Sequence, residues 1–153
     1  MPDSLYERDV LAWSQHQADL LRRLGRGERV NDVDWAHIAE EIEDVGLSEL
    51  HSVESFLNLI IVHLLKLHVW PDSQARGHWR GEIVVFRNNA KRRFAPSMRQ
   101  RIDVGHLYAE ALEQLRESDP GVQWPNENPF ALDDLLNNDT NALLSRFPTA
   151  PGP

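Results

Sequence analysis

Between Ser48 and Val69 a helix would be apolar on nearly every side, with Val53, Phe56, Leu57, Leu59, Ile60, Ile61, Val62, Leu64, Leu65 and Leu67 leaving no clear face for water. A helix of that kind must be surrounded, either by protein or by lipid. The longest apolar run, Phe56 to Leu67, is broken by Asn58, His63 and Lys66 and covers about a dozen of the ~20 residues that a membrane span needs. The segment therefore reads as the central helix of a folded core, and no membrane association is expected.

The remaining chain supplies helices to surround it. From Ser4 to Leu24, Tyr6, Val10, Trp13, Leu20, Leu21 and Leu24 recur at helical spacing, and Gly25 is placed to end the helix. Gly25 to Val33 reads as a loop, after which Asp34 can cap a second helix by accepting a bond from an unpaired backbone N–H. At about 100° per residue this helix puts Trp35, Ile38, Ala39, Ile42 and Val45 on the side expected to face the core. His37, Glu40, Glu41 and Asp44 form a stripe on the opposite, solvent side, and Glu43 lies on a flank. Gly46 either stops the helix, with Ser48 capping a fresh start, or lies inside one continuous helix.

Trp70-Pro71-Asp72-Ser73 is turn chemistry. Beyond it, helices are expected over His78 to Phe94, with Trp79, Ile83, Phe86 and Ala90 inward, and from about Ser97 to Glu117. Val122 to Pro129 should be irregular and anchored by Trp124, and Ala131 to Leu136 should form a short helix. No repeat and no strand-like alternation is present. The expected fold is all-α, an antiparallel helical bundle of four to five helices with an irregular C-terminal wrap. The 153 residues suit a single domain over 1–147 with a loose tail over 148–153.

Charge divides the chain. Arg76 to Arg101 holds eight of the sixteen Lys and Arg residues with Glu82 as its only acid, a net +7 within a chain of net −8. The acidic balance disfavours non-specific nucleic-acid binding by the whole molecule, although the basic segment itself, densest at Lys91-Arg92-Arg93, keeps a nucleic-acid reading open. The absence of cysteine excludes disulfides, thiolate nucleophiles and cysteine-bound metals. The first residues carry no basic stretch followed by an apolar core, so a secretory signal is not expected and the cytoplasm is the default location.

Two constellations invite chemistry. Asp34, His37, Glu40, Glu41 and Asp44, joined by His63 from the central helix, are candidate ligands of a divalent metal, since carboxylates and imidazole together suit hard and borderline cations. The di-iron pattern of helical bundles is only approximated, by Asp34-x-x-His37 and Asp103-x-x-His106, and no His-Glu-x-x-His or EF-hand loop occurs. The structural alternative is that the acidic helix meets the basic one, with Glu40, Glu41 or Asp44 paired to Arg80, Arg87 or Lys91, and Glu43 paired to Arg80 or Arg87. His63 and Lys66 interrupt the most apolar helix and both need partners, Lys66 by reaching water or a carboxylate.

Tyr6-Glu-Arg-Asp9, Trp13 to Gln17, Asp34-Trp35, Glu40-Glu-Ile-Glu-Asp-Val-Gly46, His63-Leu-Leu-Lys66, Trp79 and Arg87, in this order, resemble the bacterial family named domain of unknown function twenty-nine. The resemblance runs from about Tyr6 to Leu136. It implies a small, mostly helical bacterial protein and no established reaction. The chain has His78-Trp79 where the family tends to show Ser-Trp, and Asn128-Pro129 where it often shows Cys-Pro. The expectation drawn from all of this is a non-enzymatic accessory or protein-interaction module without a cofactor, whose partner is another protein or a second copy. The alternatives are a metal-dependent hydrolase or other carboxylate-site enzyme, and nucleic-acid binding through residues 76–101.

Overall fold

The computed structural model describes residues 4–149, which form helices and no strand. They divide into two compact units between Leu47 and Ser48.

In the N-terminal unit, the single helix expected over residues 4–24 is two. Helix α1 spans Leu5–Arg8 and α2 spans Val10–Gly25. Asp9 makes the break, because its carboxylate accepts from Ala12 N at 2.9 Å and so caps α2 at the point where α1 ends. Ser4 and Glu7 close a capping box on α1, each side chain accepting the other's backbone N–H. Trp13, Gln17 and Leu20 are the buried residues of α2. Gly27 follows at φ 83°, a left-handed position that glycine adopts without steric cost.

Helix α3, Trp35–Val69, resolves the ambiguity at Gly46 in favour of continuity: it runs 35 residues without interruption, about 52 Å at 1.5 Å per residue. Nothing lies within 4 Å of a Cβ built on Gly46. Gly46→Ala should therefore raise stability by about 0.5–1 kcal/mol, the difference in helix propensity, and thermal unfolding in dilute protein checks it.

In the C-terminal unit the second half of α3 is the core. Val53, Leu57, Ile60, Ile61, Leu64 and Leu65 are fully buried, as the all-round apolar pattern requires. Helix α4, Arg76–Arg93, starts two residues earlier than expected and turns Ile83 and Ala90 inward. The expected helix from Ser97 is corrected. Pro96–Met98 is a 3₁₀ turn, and α5 spans only Val104–Ser118, its start capped where Asp103 Oδ1 accepts from His106 N at 3.1 Å. That cap occupies the Asp103-x-x-His106 motif with backbone work. Helices α6, Leu132–Asn137, and α7, Thr140–Leu144, finish the unit against α4.

The wrap is irregular from Asp119 to Phe130, and Trp124 is 5% exposed within it. Trp124 meets Trp70 edge-on at 5.3 Å, and Tyr108 donates to Pro125 O at 2.7 Å, so the segment is pinned by two aromatic side chains. Asn128 folds back on Phe130, accepting from its N–H and donating to its carbonyl. Of the expected tail, residues 150–153 lie outside the described residues. By length and composition α3 passes the test for a membrane-crossing helix, and half of its most apolar window is buried within the protein, as in a core helix.

Candidate functional site

The N-terminal unit converges on Asp34. Its Oδ2 accepts from Trp13 Nε1 at 3.0 Å and from His37 Nδ1 at 2.7 Å. Its Oδ1 accepts from His37 N at 3.4 Å, the cap expected from the sequence, and its own backbone N–H donates to Gln17 Oε1 at 2.8 Å. Hydrogen bonds from His37 and then Trp13 hold the Asp34 carboxyl below its ordinary value, against the opposing effect of burial. Because a carboxylate only accepts, Nδ1 of His37 carries the proton, and in the neutral ring Nε2 is left as the acceptor.

Tyr6 lies flat on the His37 ring, with centroids 3.9 Å apart and planes 14° apart, while Trp13 meets Tyr6 edge-on at 4.8 Å. The Tyr6 hydroxyl donates to Glu41 Oε1 at 2.6 Å. That bond, with burial and the nearby charges of Glu41, Glu40 and Asp44, pushes the Tyr6 phenol up to about 12. Tyr108, the second of the two tyrosines, is also pushed up to about 12, by burial. A folded-state value above the unfolded one stabilises the fold fully below pH ~10 and loses that contribution as pH rises through the folded value. An absorbance titration at 295 nm should accordingly show no phenolate near pH 10 in the folded protein, and both tyrosines ionising only near 12 or on unfolding.

This geometry corrects the expected phase of the helix. His37 and Glu41 are half-buried against Tyr6 and Trp13, whereas Trp35, Ile42 and Val45 are 61%, 67% and 69% exposed. Of the expected core face only Ile38 is buried. The physical reason is that Asp34 fixes the start of α3 through Trp13 and Gln17, which points His37 and Ile38 inward. One turn later Glu41 follows, held by Tyr6. Glu40, Glu43 and Asp44 are exposed.

In the C-terminal unit His63 is 8% exposed. Its Nδ1 donates to Leu59 O at 2.8 Å and its Nε2 meets Glu82, whose other oxygen takes His78 Nε2 at 3.0 Å. Both ring nitrogens of the buried histidine are thus satisfied. Lys66 reaches the face of Trp79 with Nζ 5.8 Å from the ring centre, a cation–π contact in place of a carboxylate pair. The expected partners of the acidic helix are engaged elsewhere. Arg80 donates to Asn141 Oδ1 at 2.9 Å and Arg87 to Asn138 O at 2.8 Å, because α6 and α7 lie against α4 and present these acceptors. Arg93 pairs with Glu49 at 3.0 Å and Arg99 with Asp133 at 2.9 Å, while Lys91 and Arg92 are exposed.

The six metal candidates divide. Asp34 and His37 bond each other, Glu41 belongs to Tyr6, Glu40 and Asp44 face solvent, and His63 belongs to Glu82. Among the described residues no group of three or more His, Asp or Glu is placed to hold a metal ion. A 520 Å³ cleft between α3 and α5, lined by His51, Glu54, Ser55, Asn58, His106 and Glu110, escaped the sequence reading. Its signal would have been polar residues recurring on one face of each helix. Trp13 and Gln17 were also missed as holders of Asp34, although a glutamine one turn after a tryptophan on an apolar face marks a polar contact.

The match to the family model decides the family: Domain of unknown function DUF29 covers residues 5–140. The chain belongs to the DUF29 family. A crystal structure of an alpha-helical protein of unknown function from Rhodospirillum rubrum shares 33% sequence identity with this DUF29 chain. It covers 94% of this chain and 98% of its own, with a TM-score of 0.70. No curated protein matches the chain in sequence.

Proposed function

We propose that this DUF29 chain is a non-enzymatic protein-interaction module that works through the outward face of the first turns of α3. The observation that carries the reading is the trio Trp35, Ile42 and Val45, three large apolar side chains each more than 60% exposed, Trp35 two turns before Ile42 on the same side of one helix and Val45 about one turn beyond it. Single exposed apolar residues are ordinary, but a contiguous apolar patch rimmed by charge marks an association surface. Glu43, exposed on the flank of this face, is the charged residue beside it.

The polar clusters fit structural work better than catalysis. The Asp34–His37 pair has the form of a general-base dyad, yet the hydrogen-bonded and stacked partners of the ring are Asp34 and Tyr6, and the Tyr6 hydroxyl is given to Glu41 rather than to His37. The arginines that suggested nucleic-acid binding are largely spent on acceptors within their own unit. Quantitative binding of the purified protein to its co-purifying partners, or to itself, tests the reading. Ile42→Glu/Val45→Glu should abolish association while leaving the helical circular dichroism spectrum unchanged. Association that survives both substitutions contradicts it.

A further inference from the structure

The C-terminal unit holds a further cleft, of 280 Å³, lined by Arg80, Val84 and Arg87 from α4 and by Asp139, Thr140 and Asn141 at the start of α7. Arg80 and Arg87 stand about two helical turns apart, so both side chains and Val84 fall on one side of α4. Both arginines are half-buried. Their partners differ in kind from those of the other bonded arginines of this unit's surface. Arg93, Arg99 and Arg146 meet the carboxylates of Glu49, Asp133 and Asp134. Arg80 instead meets the amide oxygen of Asn141, and Arg87 the backbone oxygen of Asn138. A guanidinium carries five N–H donors, so one bond to a neutral oxygen leaves most donors free and the charge unpaired.

Thr140 adds a third donor. It is 7% exposed, and its hydroxyl has no hydrogen-bond partner among the described residues. The sealed side-chain polar atom without a partner there is Trp124 Nε1, so the Thr140 hydroxyl keeps an opening, and the cleft that Thr140 lines provides it. We propose that this cleft binds a small oxyanion of the phosphate-monoester class. Guanidinium forks match phosphate oxygens in geometry as well as charge. Two forks and a hydroxyl suit the three acceptor oxygens of a phosphoryl group better than the two of a carboxylate. Val84, 41% exposed between the arginines, offers an apolar contact to the carbon body of the ester. Asp139 opposes the anion, but its Oδ1 is held by Ala142 N at 2.8 Å and two cations outweigh its charge. The volume lies at the small end of the range for ligand pockets, which suits a small ester. The site is independent of the α3 face.

Titration of the full chain at fixed ionic strength with inorganic phosphate, glycerol 3-phosphate and acetate, followed by NMR of the arginine side chains, tests the proposal. Both phosphates should shift the Arg80 and Arg87 Nε–H resonances and saturate, and acetate should bind more weakly. Arg80→Gln removes the charge and the fork, and Thr140→Val keeps the shape while removing the hydroxyl. Each should weaken glycerol 3-phosphate binding by roughly tenfold, the value of one charge-assisted hydrogen bond, with the circular dichroism spectrum unchanged. Lys91→Gln/Arg92→Gln removes charge from the exposed end of the same helix and should change affinity by less than about twofold, because a screened, distant charge contributes little. Absence of saturation, acetate binding as tightly as the phosphates, or affinity indifferent to Arg80→Gln and Thr140→Val would overturn the proposal. So would an equal loss in Lys91→Gln/Arg92→Gln, which would mark a general attraction of anions to α4. Should one cleft variant fail to fold, the wild-type guanidinium shifts and the other variant still decide.

Discussion

Leu64→Ala should lower the unfolding free energy by about 2–5 kcal/mol, whereas Ile42→Ala on the same helix should change it by less than about 0.5 kcal/mol. Leu64 is fully buried, so truncation loses both its transfer free energy and the dispersion contacts of the cavity left behind. Ile42 is 67% exposed, so the same chemistry removes little that folding had buried. Urea unfolding of both variants in dilute protein makes the comparison. The pair tests whether α3 is one helix with two jobs, a core in its second half and a presented face in its first. Equal losses would mean that Ile42 is buried in the folded chain.

Trp13→Ala should cost about 3–5 kcal/mol, the range for deleting a large buried aromatic side chain. Trp13 is 5% exposed, meets Tyr6 edge-on and gives its indole N–H to Asp34. Trp13→Phe keeps the larger part of the aromatic packing and removes the donor with the five-membered ring, so it should cost less, about 1.5–3 kcal/mol, the range for a single hydrogen bond to a charged group. The acid limb of stability should respond too. Asp34 is held below the ordinary carboxylate value, so its contribution is present above that value and fades as pH falls through the lowered one. With the indole donor gone, stability in Trp13→Phe should fall less steeply in acid. Denaturant unfolding from pH 7 down to pH 3 measures both effects, and an unchanged acid profile would separate Trp13 from Asp34.

The central helix was legible in the sequence because burial on all sides leaves one solution for a run such as Leu57 to Leu67. Trp124 was legible for a related reason, since an indole among prolines and asparagines has no regular element to join and must anchor on the body. The phase of the acidic helix was not legible. Apolar periodicity assigned Trp35, Ile42 and Val45 to a core, but periodicity records which side avoids water and leaves open what covers it. The deciding contacts come from Tyr6, Trp13 and Gln17, which precede Asp34 by 17 to 28 positions: Trp13 donates to the Asp34 carboxylate, the Asp34 N–H donates to Gln17, Tyr6 donates to Glu41, and together these bonds outweigh the apolar moment of the helix. The family resemblance held over residues 5–140 and carried the helical class with it. It could not carry a site, because chemistry depends on which side chains meet, as His63 and Glu82 do across 19 positions.

The account stands on the claim that the outward face of α3 is covered in the working molecule, and Trp35 reports on it directly. Hydroxyl-radical footprinting read by mass spectrometry, repeated over a range of protein concentrations, measures the exposure of that indole. Oxidation of Trp35 should be high in dilute protein and fall as the concentration of the chain or of its co-purifying partner rises, and it should stay high throughout in Ile42→Glu/Val45→Glu. Trp35 reacting equally at every concentration of chain and partner, in wild type and variant alike, would contradict the account.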